Sequence, residues 1–338
     1  MQARRRKIVV LTPVRNEEWI LETFLKVTSQ FADLIIIADQ GSTDGSLSIC
    51  RNFEKVYVIS NPDQKYDEAS RQRLLIQTAR ELVPGERILL ALDSDEILAA
   101  NARGTADWQR MLSADPGTVL IFEKPNLYRT AESCIRYEID FPGGYIDDGA
   151  EHIGAKVHSI RIPVSDRAPR LILGHIKFLH YALLRPKGQA AKLRMYSVVE
   201  NLAKTKSAFQ RRRYYDAKAD WEKHGRVEAT DPEWFSDWEQ LGIDLKSIRD
   251  EEGYWQDYET LSYLIRYGSL RFWLDDIWEF DWGALAESEG ERTRIIAPPV
   301  FFRNFLRFSV KGLCALGALR RRLTSGLEPA TEQQVRRL

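Results

Sequence analysis

The sequence predicts an α/β protein built on a mostly parallel, doubly wound sheet flanked by helices. Three observations carry this. Short β-branched or leucine-rich runs alternate with helix-period segments through the first hundred residues, turn residues separate them, and polar clusters fall at strand ends.

Residues 7–12 form a buried strand that closes at Thr12-Pro13. Residues 17–30 follow as a helix with Ile20, Leu21, Phe24, Leu25 and Val27 on one face. A second strand spans 33–39, and a second helix over 43–53 is entered through Gly41-Ser42-Thr43-Asp44-Gly45. Strand 56–59, helix 66–82 and strand 87–93 complete the repeat. Ligands bind such sheets at the carboxyl ends of the strands, so 12–18, 39–44 and 93–96 converge on one rim. Beyond residue 115 the pattern is mixed. Strands are predicted at 118–123, 126–138, 156–162 and 171–184, a loop at 141–149, and a helix opened by Pro186 over 186–204.

The sequence divides into a domain over 1–205, an acidic, tryptophan-rich helical segment over 206–290 and a basic amphipathic tail over 291–338. Lys+Arg and Asp+Glu are equal at 49 each in the 338 residues, but they are unevenly spread. Residues 206–290 carry 11 basic and 20 acidic side chains; residues 291–338 carry 10 and 3. The balance excludes a general nucleic-acid binder. Three separated cysteines read as reduced packing thiols of a cytoplasmic protein. The basic start followed by a short apolar run is a strand behind a tail and not a leader, and no stretch reaches the roughly 18 apolar residues of a membrane span. Drawn as a helix, residues 299–323 put Arg303, Arg307 and Lys311 on one stripe and Phe301, Phe305 and Phe308 on the opposite arc. That pattern fits either an anionic membrane surface or a seat on the protein's own acidic segment.

The strongest chemical signal is Asp93-Ser94-Asp95-Glu96 behind the apolar run 90–92. Two carboxylates one residue apart suit a hard divalent cation such as Mn²⁺ or Mg²⁺, which can in turn clamp a diphosphate. By composition alone, the same acids could be a solvated helix start.

The ordered set Val10-Leu11-Thr12-Pro13-Val14-Arg15-Asn16-Glu17-Glu18, Ile37-Ala38-Asp39-Gln40-Gly41-Ser42-Thr43-Asp44-Gly45 and Asp93-Ser94-Asp95-Glu96 closely resembles the donor-binding half of family-2 glycosyltransferases, which have the GT-A fold. Within it, Ala69-Ser70-Arg71-Gln72-Arg73 resembles the family's helix arginine, and the closing Glu96 the Asp-x-Asp-Glu subgroup. The resemblance implies an inverting, metal-dependent transfer of sugar from a nucleotide-diphosphate donor, a UDP-sugar first, to a glycan or lipid-linked hydroxyl in polysaccharide or glycolipid assembly. By the same resemblance Thr12, Pro13, Arg15, Asn16 and Glu17 hold base and ribose, and Asp39 accepts from the base edge. Arg71 faces the diphosphate, Asp93 and Ser94 face the donor, and Asp95, Asp93 and His180 hold the metal. Gln40 departs from the family's usual Asp or Asn. Asp148, Asp147 and Glu151, with Asp140 behind them, are the candidate catalytic base. A cytoplasmic enzyme, peripheral at the inner face of the membrane, is the corresponding setting.

Two rival functions make different demands. A nucleotidyltransferase needs a glycine-rich phosphate loop, and 12–18 holds no glycine. A non-catalytic nucleotide- or sugar-binding module anchored by its C-terminal helix would bind UDP without a metal. The tryptophans could stack on sugars but read more readily as a helical core.

Overall fold

The computed structural model describes residues 6–61, 67–136, 141–155, 159–165, 167–219, 225–248 and 253–309. The chain divides into two compact units. The first comprises Met1–Gln189 with Trp221–Glu252, and the second Ala190–Asp220 with Gly253–Leu338. This differs from the division expected from composition, because the acidic segment 206–290 is shared between the two.

The first unit is an α/β layer around an 11-stranded sheet. Its parallel half is β1 (Lys7–Val14), β2 (Leu34–Asp39), β3 (Val56–Ser60) and β4 (Arg87–Ala91), ordered β4-β1-β2-β3. The crossovers are α1 (Glu18–Thr28), α2 (Ser46–Cys50) and α3 (Glu68–Leu82). Both faces of β1 are covered, so Val9, Val10 and Leu11 are all buried and the run is continuously apolar. Helix α1 buries the five apolar residues expected from its period. Helix α3 starts where Asp67 accepts a hydrogen bond from Ser70 N.

The mixed half departs from expectation. β5 (Glu96–Leu98) follows the acidic motif directly, and α4 (Ala106–Ser113) precedes β6 (Val119–Glu123). The stretch 126–138 resolves into β7 (Asn126–Tyr128) and β8 (Thr130–Arg136). Most of the stretch 141–149, expected as a loop, is β9 (Phe141–Ile146), a central strand antiparallel to both β4 and β6. Its glycines answer to packing: a Cβ on Gly144 would lie 2.9 Å from Leu90 Cδ2 and 3.0 Å from Leu120 Cδ1. Pro142 falls where the β6–β9 register shifts. The strand expected at 156–162 is absent over 159–162, which run as irregular chain. β10 (Arg170–His180) lies parallel to β6, its far end pairs antiparallel with β5, and β11 (Arg226–Ala229) closes the edge on β8.

Helix α5 (Pro186–Ala203) opens at the predicted proline, followed by α6 (Ala208–Ala219), α7 (Ser236–Gln240), α8 (Trp255–Tyr267) and α9 (Trp282–Ser288). The tryptophans pack. Trp234 and Trp238 sit in the core of the first unit, Trp278 and Trp282 in that of the second. The last described helix covers residues 300–309 in the second unit. Its arginines turn inward: Arg303 donates to the Trp278 carbonyl, and Arg307 reaches Glu279 at 2.5 Å and Asp276 at 3.4 Å. Its phenylalanines turn outward, with Phe301, Phe305 and Phe308 exposed by 76%, 64% and 79%. The basic stripe is therefore seated on acidic neighbours; Lys311 lies outside the described residues. Among the described residues no helix is long and apolar enough to cross a membrane.

Candidate functional site

The carboxyl ends of β1, β2 and β4 share one rim, because the three strands are parallel and in register. The loops leaving β1 and β2 are stitched together there. Asn16 adopts a left-handed backbone (φ 55°), which asparagine tolerates better than most residues. That turn lets its N–H donate to Ser42 Oγ at 3.0 Å while its Oδ1 accepts from Thr43 N at 2.7 Å. Glu17 N donates to Ser46 Oγ, and Gly45 N donates to Glu18 Oε2. Asp39, nearly buried, accepts from Gly41 N and Ser42 N and so shapes the turn beside β1. Thr12 is fully buried in β1, with Pro13 following it toward the rim. Arg71, on the first turns of α3, donates to Gln40 Oε1 at 2.5 Å. The family departure at Gln40 thus has a local use: its carboxamide holds Arg71 toward the rim. Arg71 Nε is buried and has no hydrogen-bond partner among the described residues.

The acidic motif sits beside these loops. Leu92 N donates to Leu11 O, which ties the end of β4 to β1. The turn then reverses into β5, whose antiparallel pairing with β10 sets His180 opposite Glu96. His180 Nε2 lies 3.4 Å from Asp95 Oδ2. The other ring nitrogen, Nδ1, lies 2.6 Å from Asn126 Oδ1. Asn126 is oriented by its own Nδ2, which donates to Lys124 O at 3.4 Å. Its oxygen therefore faces His180, Nδ1 carries the proton, and in the neutral imidazole Nε2 presents a lone pair toward Asp95. A second partner of this kind is what a metal-ligating histidine requires.

Glu96 is fully buried and anchors the cations of the cluster. It accepts from Arg161 Nη1 at 2.6 Å, from Lys124 Nζ at 2.9 Å and from Asp93 N at 3.0 Å. Burial alone would raise its carboxyl, but Arg161, Lys124 and His180 outweigh burial and hold it at about 2. Arg161 also donates through Nη2 to Asp93 Oδ2 at 2.5 Å. Burial disfavours its charge, and Asp93 and Glu96 more than reverse that, so it stays protonated. Both cations lie over Phe141, Lys124 at 4.4 Å and Arg161 at 5.8 Å from the ring centroid.

Asp95 and His180 fit a divalent cation: one hard oxygen and one imidazole nitrogen face each other with the tautomer fixed from behind. Asp93, the third expected ligand, is held by Arg161. Among the described residues no three His, Cys, Asp or Glu side chains gather for a metal. Such ions commonly take one or two protein groups and complete their shell with substrate phosphates and water.

The predicted base falls elsewhere. β9 runs antiparallel to β4, with Ile146 opposite Ile88, so the chain leaves β9 beside Arg87, at the other end of the sheet from Asp93. Six residues of extended chain separate those ends, roughly 20 Å. There Asp147 is fully buried between Arg80 (2.7 Å) and Arg87 (2.5 Å). Asp148 accepts from Tyr145 Oη at 2.6 Å and from Ala150 N at 2.9 Å. Glu151 is exposed just beyond. These three lie beyond the end of β9, away from the acidic motif, and Asp140 lies outside the described residues. His152 is buried and bound through Nε2 to Ile160 O. Sequence reasoning missed Lys124, Asn126 and Arg161. They stand 28 to 65 positions from Glu96 or, for Asn126, 54 from His180, with no motif to mark them.

Residues 9–102 match the family described as Glycosyl transferase family 2. Similar solved structures include glucosyl-3-phosphoglycerate synthase from Mycobacterium tuberculosis, in complex with Mn²⁺, UDP and glucosyl-3-phosphoglycerate. It is 20% identical, over 36% of this chain and 44% of that one, with a TM-score of 0.27. Mannosyl-3-phosphoglycerate synthase from Rubrobacter xylanophilus is 14% identical over 36% and 41%, TM-score 0.28. A 4-diphosphocytidyl-2C-methyl-D-erythritol synthase is 17% identical over 51% and 90%, TM-score 0.33. This chain spans less than half the length of the two phosphoglycerate synthases. No curated protein matches it.

Proposed function

We propose that this protein, whose residues 9–102 match glycosyl transferase family 2, transfers a sugar from a nucleoside-diphosphate donor, a UDP-sugar first, to an acceptor hydroxyl. The observation that carries the reading is the Asp95–His180 pair, set 3.4 Å apart beside the stitched loops at the end of β1 and β2. Asp95 and His180 would hold Mn²⁺ or Mg²⁺, with Asp93 as a further oxygen. Bound there, the ion offsets the charge that grows on the departing nucleoside diphosphate.

The chain's own groups do the rest. The end of β1 from Thr12, the loop that follows it to Glu17 and the turn capped by Asp39 shape the cleft for base and ribose. Ser94 lies between the two motif carboxylates. Arg71, steered by Gln40, offers its guanidinium to the diphosphate. Lys124 and Arg161, anchored on Glu96 and Phe141, add positive potential on the side of the acidic motif away from β1. Inversion at the sugar carbon is the outcome the family resemblance implies, and it needs a carboxylate on this rim to take the acceptor proton.

We further place the enzyme on a membrane, in polysaccharide or glycolipid assembly on the cytoplasmic side. Support comes from the outward phenylalanines of the helix over 300–309, which suit the headgroup–acyl boundary. The basic residues that follow in the sequence, Lys311 and Arg320 to Arg322, suit anionic headgroups.

The test is turnover. The full chain is incubated with a panel of nucleotide sugars and lipid-linked or glycan acceptors, with Mn²⁺ or with EDTA, and released nucleoside diphosphate is followed. Metal-dependent release with one donor, and a product whose anomeric proton shows inversion by NMR, supports the reading. UDP binding that ignores the metal and yields no product favours a non-catalytic binding module.

A further inference from the structure

We propose that Arg161 is a positioning residue of the cation site: it binds Asp93, competes with a divalent ion for that carboxylate and thereby sets how tightly the site takes the ion. This rests on the reading of Asp93 and Asp95 as metal-side carboxylates.

The two carboxylate bonds of Arg161 use different nitrogens, Nη1 to Glu96 Oε2 at 2.6 Å and Nη2 to Asp93 Oδ2 at 2.5 Å, and Nη1 also donates to Ala91 O at 3.5 Å. One can break while the other holds. Glu96 is fully buried and also bound by Lys124, so it is the fixed end; the Asp93 side chain is 30% exposed and is the end that can let go. The backbone under Arg161 is pinned on both sides. Ile160 O is bound by His152, and Ser159 N donates to Glu68 Oε2 at 2.8 Å. Ile162 is buried against Ala91, Val119, Ile121 and Tyr145.

The electrostatics give the direction. A divalent cation shared by Asp93 and Asp95 meets a guanidinium on the same carboxylate, so ion and arginine compete for Asp93. A donor diphosphate relieves that competition, because it offers new oxygens to both the ion and the freed guanidinium. Metal therefore binds weakly alone and tightly with nucleotide.

The experiment titrates Mn²⁺ into the full chain without nucleotide, by calorimetry or by loss of the free Mn²⁺ EPR signal, comparing wild type with Arg161→Gln and Arg161→Lys. The expected result is Mn²⁺ affinity raised about tenfold or more in Arg161→Gln, with a smaller rise in Arg161→Lys, whose single ammonium spans the two carboxylates poorly. Adding Asp95→Ala to Arg161→Gln should abolish the gain. A merely structural arginine would lower affinity when removed. If Arg161→Gln fails to fold, Arg161→Lys carries the test. Affinity equal to or below wild type in both variants overturns the proposal while the metal reading stands, provided wild type binds Mn²⁺ with UDP. If wild type binds no Mn²⁺ even with UDP, the metal reading fails and takes the proposal with it.

Discussion

His180 Nε2 and Asp95 Oδ2 face each other across 3.4 Å, and Asn126 holds the back of the imidazole at 2.6 Å. The pairing arises because β5 folds back on the end of β10, so the acidic turn and the histidine arrive on one rim from opposite directions. Asn126 is the less obvious partner. Replacing it with Ala leaves Nδ1 unheld and the tautomer unset. Mn²⁺ affinity in the presence of UDP should fall roughly 10- to 100-fold, as for other residues behind a metal-bound histidine. Calorimetry checks this; unchanged affinity would remove His180 from the metal site.

Asp147 is a structural anchor and not a base. Asp147→Asn should cost about 3 kcal/mol at neutral pH, because it strips the shared partner from Arg80 and Arg87. Burial pushes its carboxyl up, but the two guanidiniums prevail and hold it below the ordinary value. Its contribution is therefore present above the ordinary carboxylate range near pH 4 and is lost as pH falls through and below it. Denaturant melts of wild type and variant should converge on acidification, while the folded variant keeps its turnover at neutral pH.

Gly144 marks the tightest approach of β9 to its neighbours. Gly144→Ala pushes a methyl group toward Leu90 and Leu120, both fully buried. A loss of about 1–3 kcal/mol is expected in chemical denaturation. A neutral result would mean that β9 is packed more loosely than its contacts indicate.

The outward face of the helix over 300–309 is the membrane test. Phe301→Ser, Phe305→Ser and Phe308→Ser together should abolish sedimentation with phosphatidylglycerol vesicles. Stability should stay within about 0.5 kcal/mol for each exposed position. Equal sedimentation of variant and wild type would contradict docking through this face.

Much of this was legible in the sequence, for definite reasons. Buried parallel strands are continuously apolar, so β1, β2 and β4 stand out, and ligand residues cluster where such runs stop. The Asp93–Asp95 spacing places two carboxylates where one such run ends. What failed was direction. A stretch with Pro142, Gly143 and Gly144 reads as a turn, yet it is a central strand whose glycines admit Leu90 and Leu120, and its antiparallel sense carries Asp147 and Asp148 away from the site. Arg161 and Lys124 were invisible because their roles depend on long-range placement around Glu96, not on local pattern. The C-terminal helix showed two faces in sequence, but only its seat beside Asp276 and Glu279 decides that arginines face in and phenylalanines out.

The central claim is a cation-assisted diphosphate site at Asp95, His180 and the loops from β1 and β2. Titrating UDP into the full chain by calorimetry, with Mn²⁺ and then with EDTA, tests it most directly when repeated on Asp95→Ala. The account predicts UDP binding that depends on Mn²⁺ and is lost in the variant, whose thermal midpoint stays near that of wild type. UDP binding of equal strength in EDTA, or undiminished in Asp95→Ala, would contradict it.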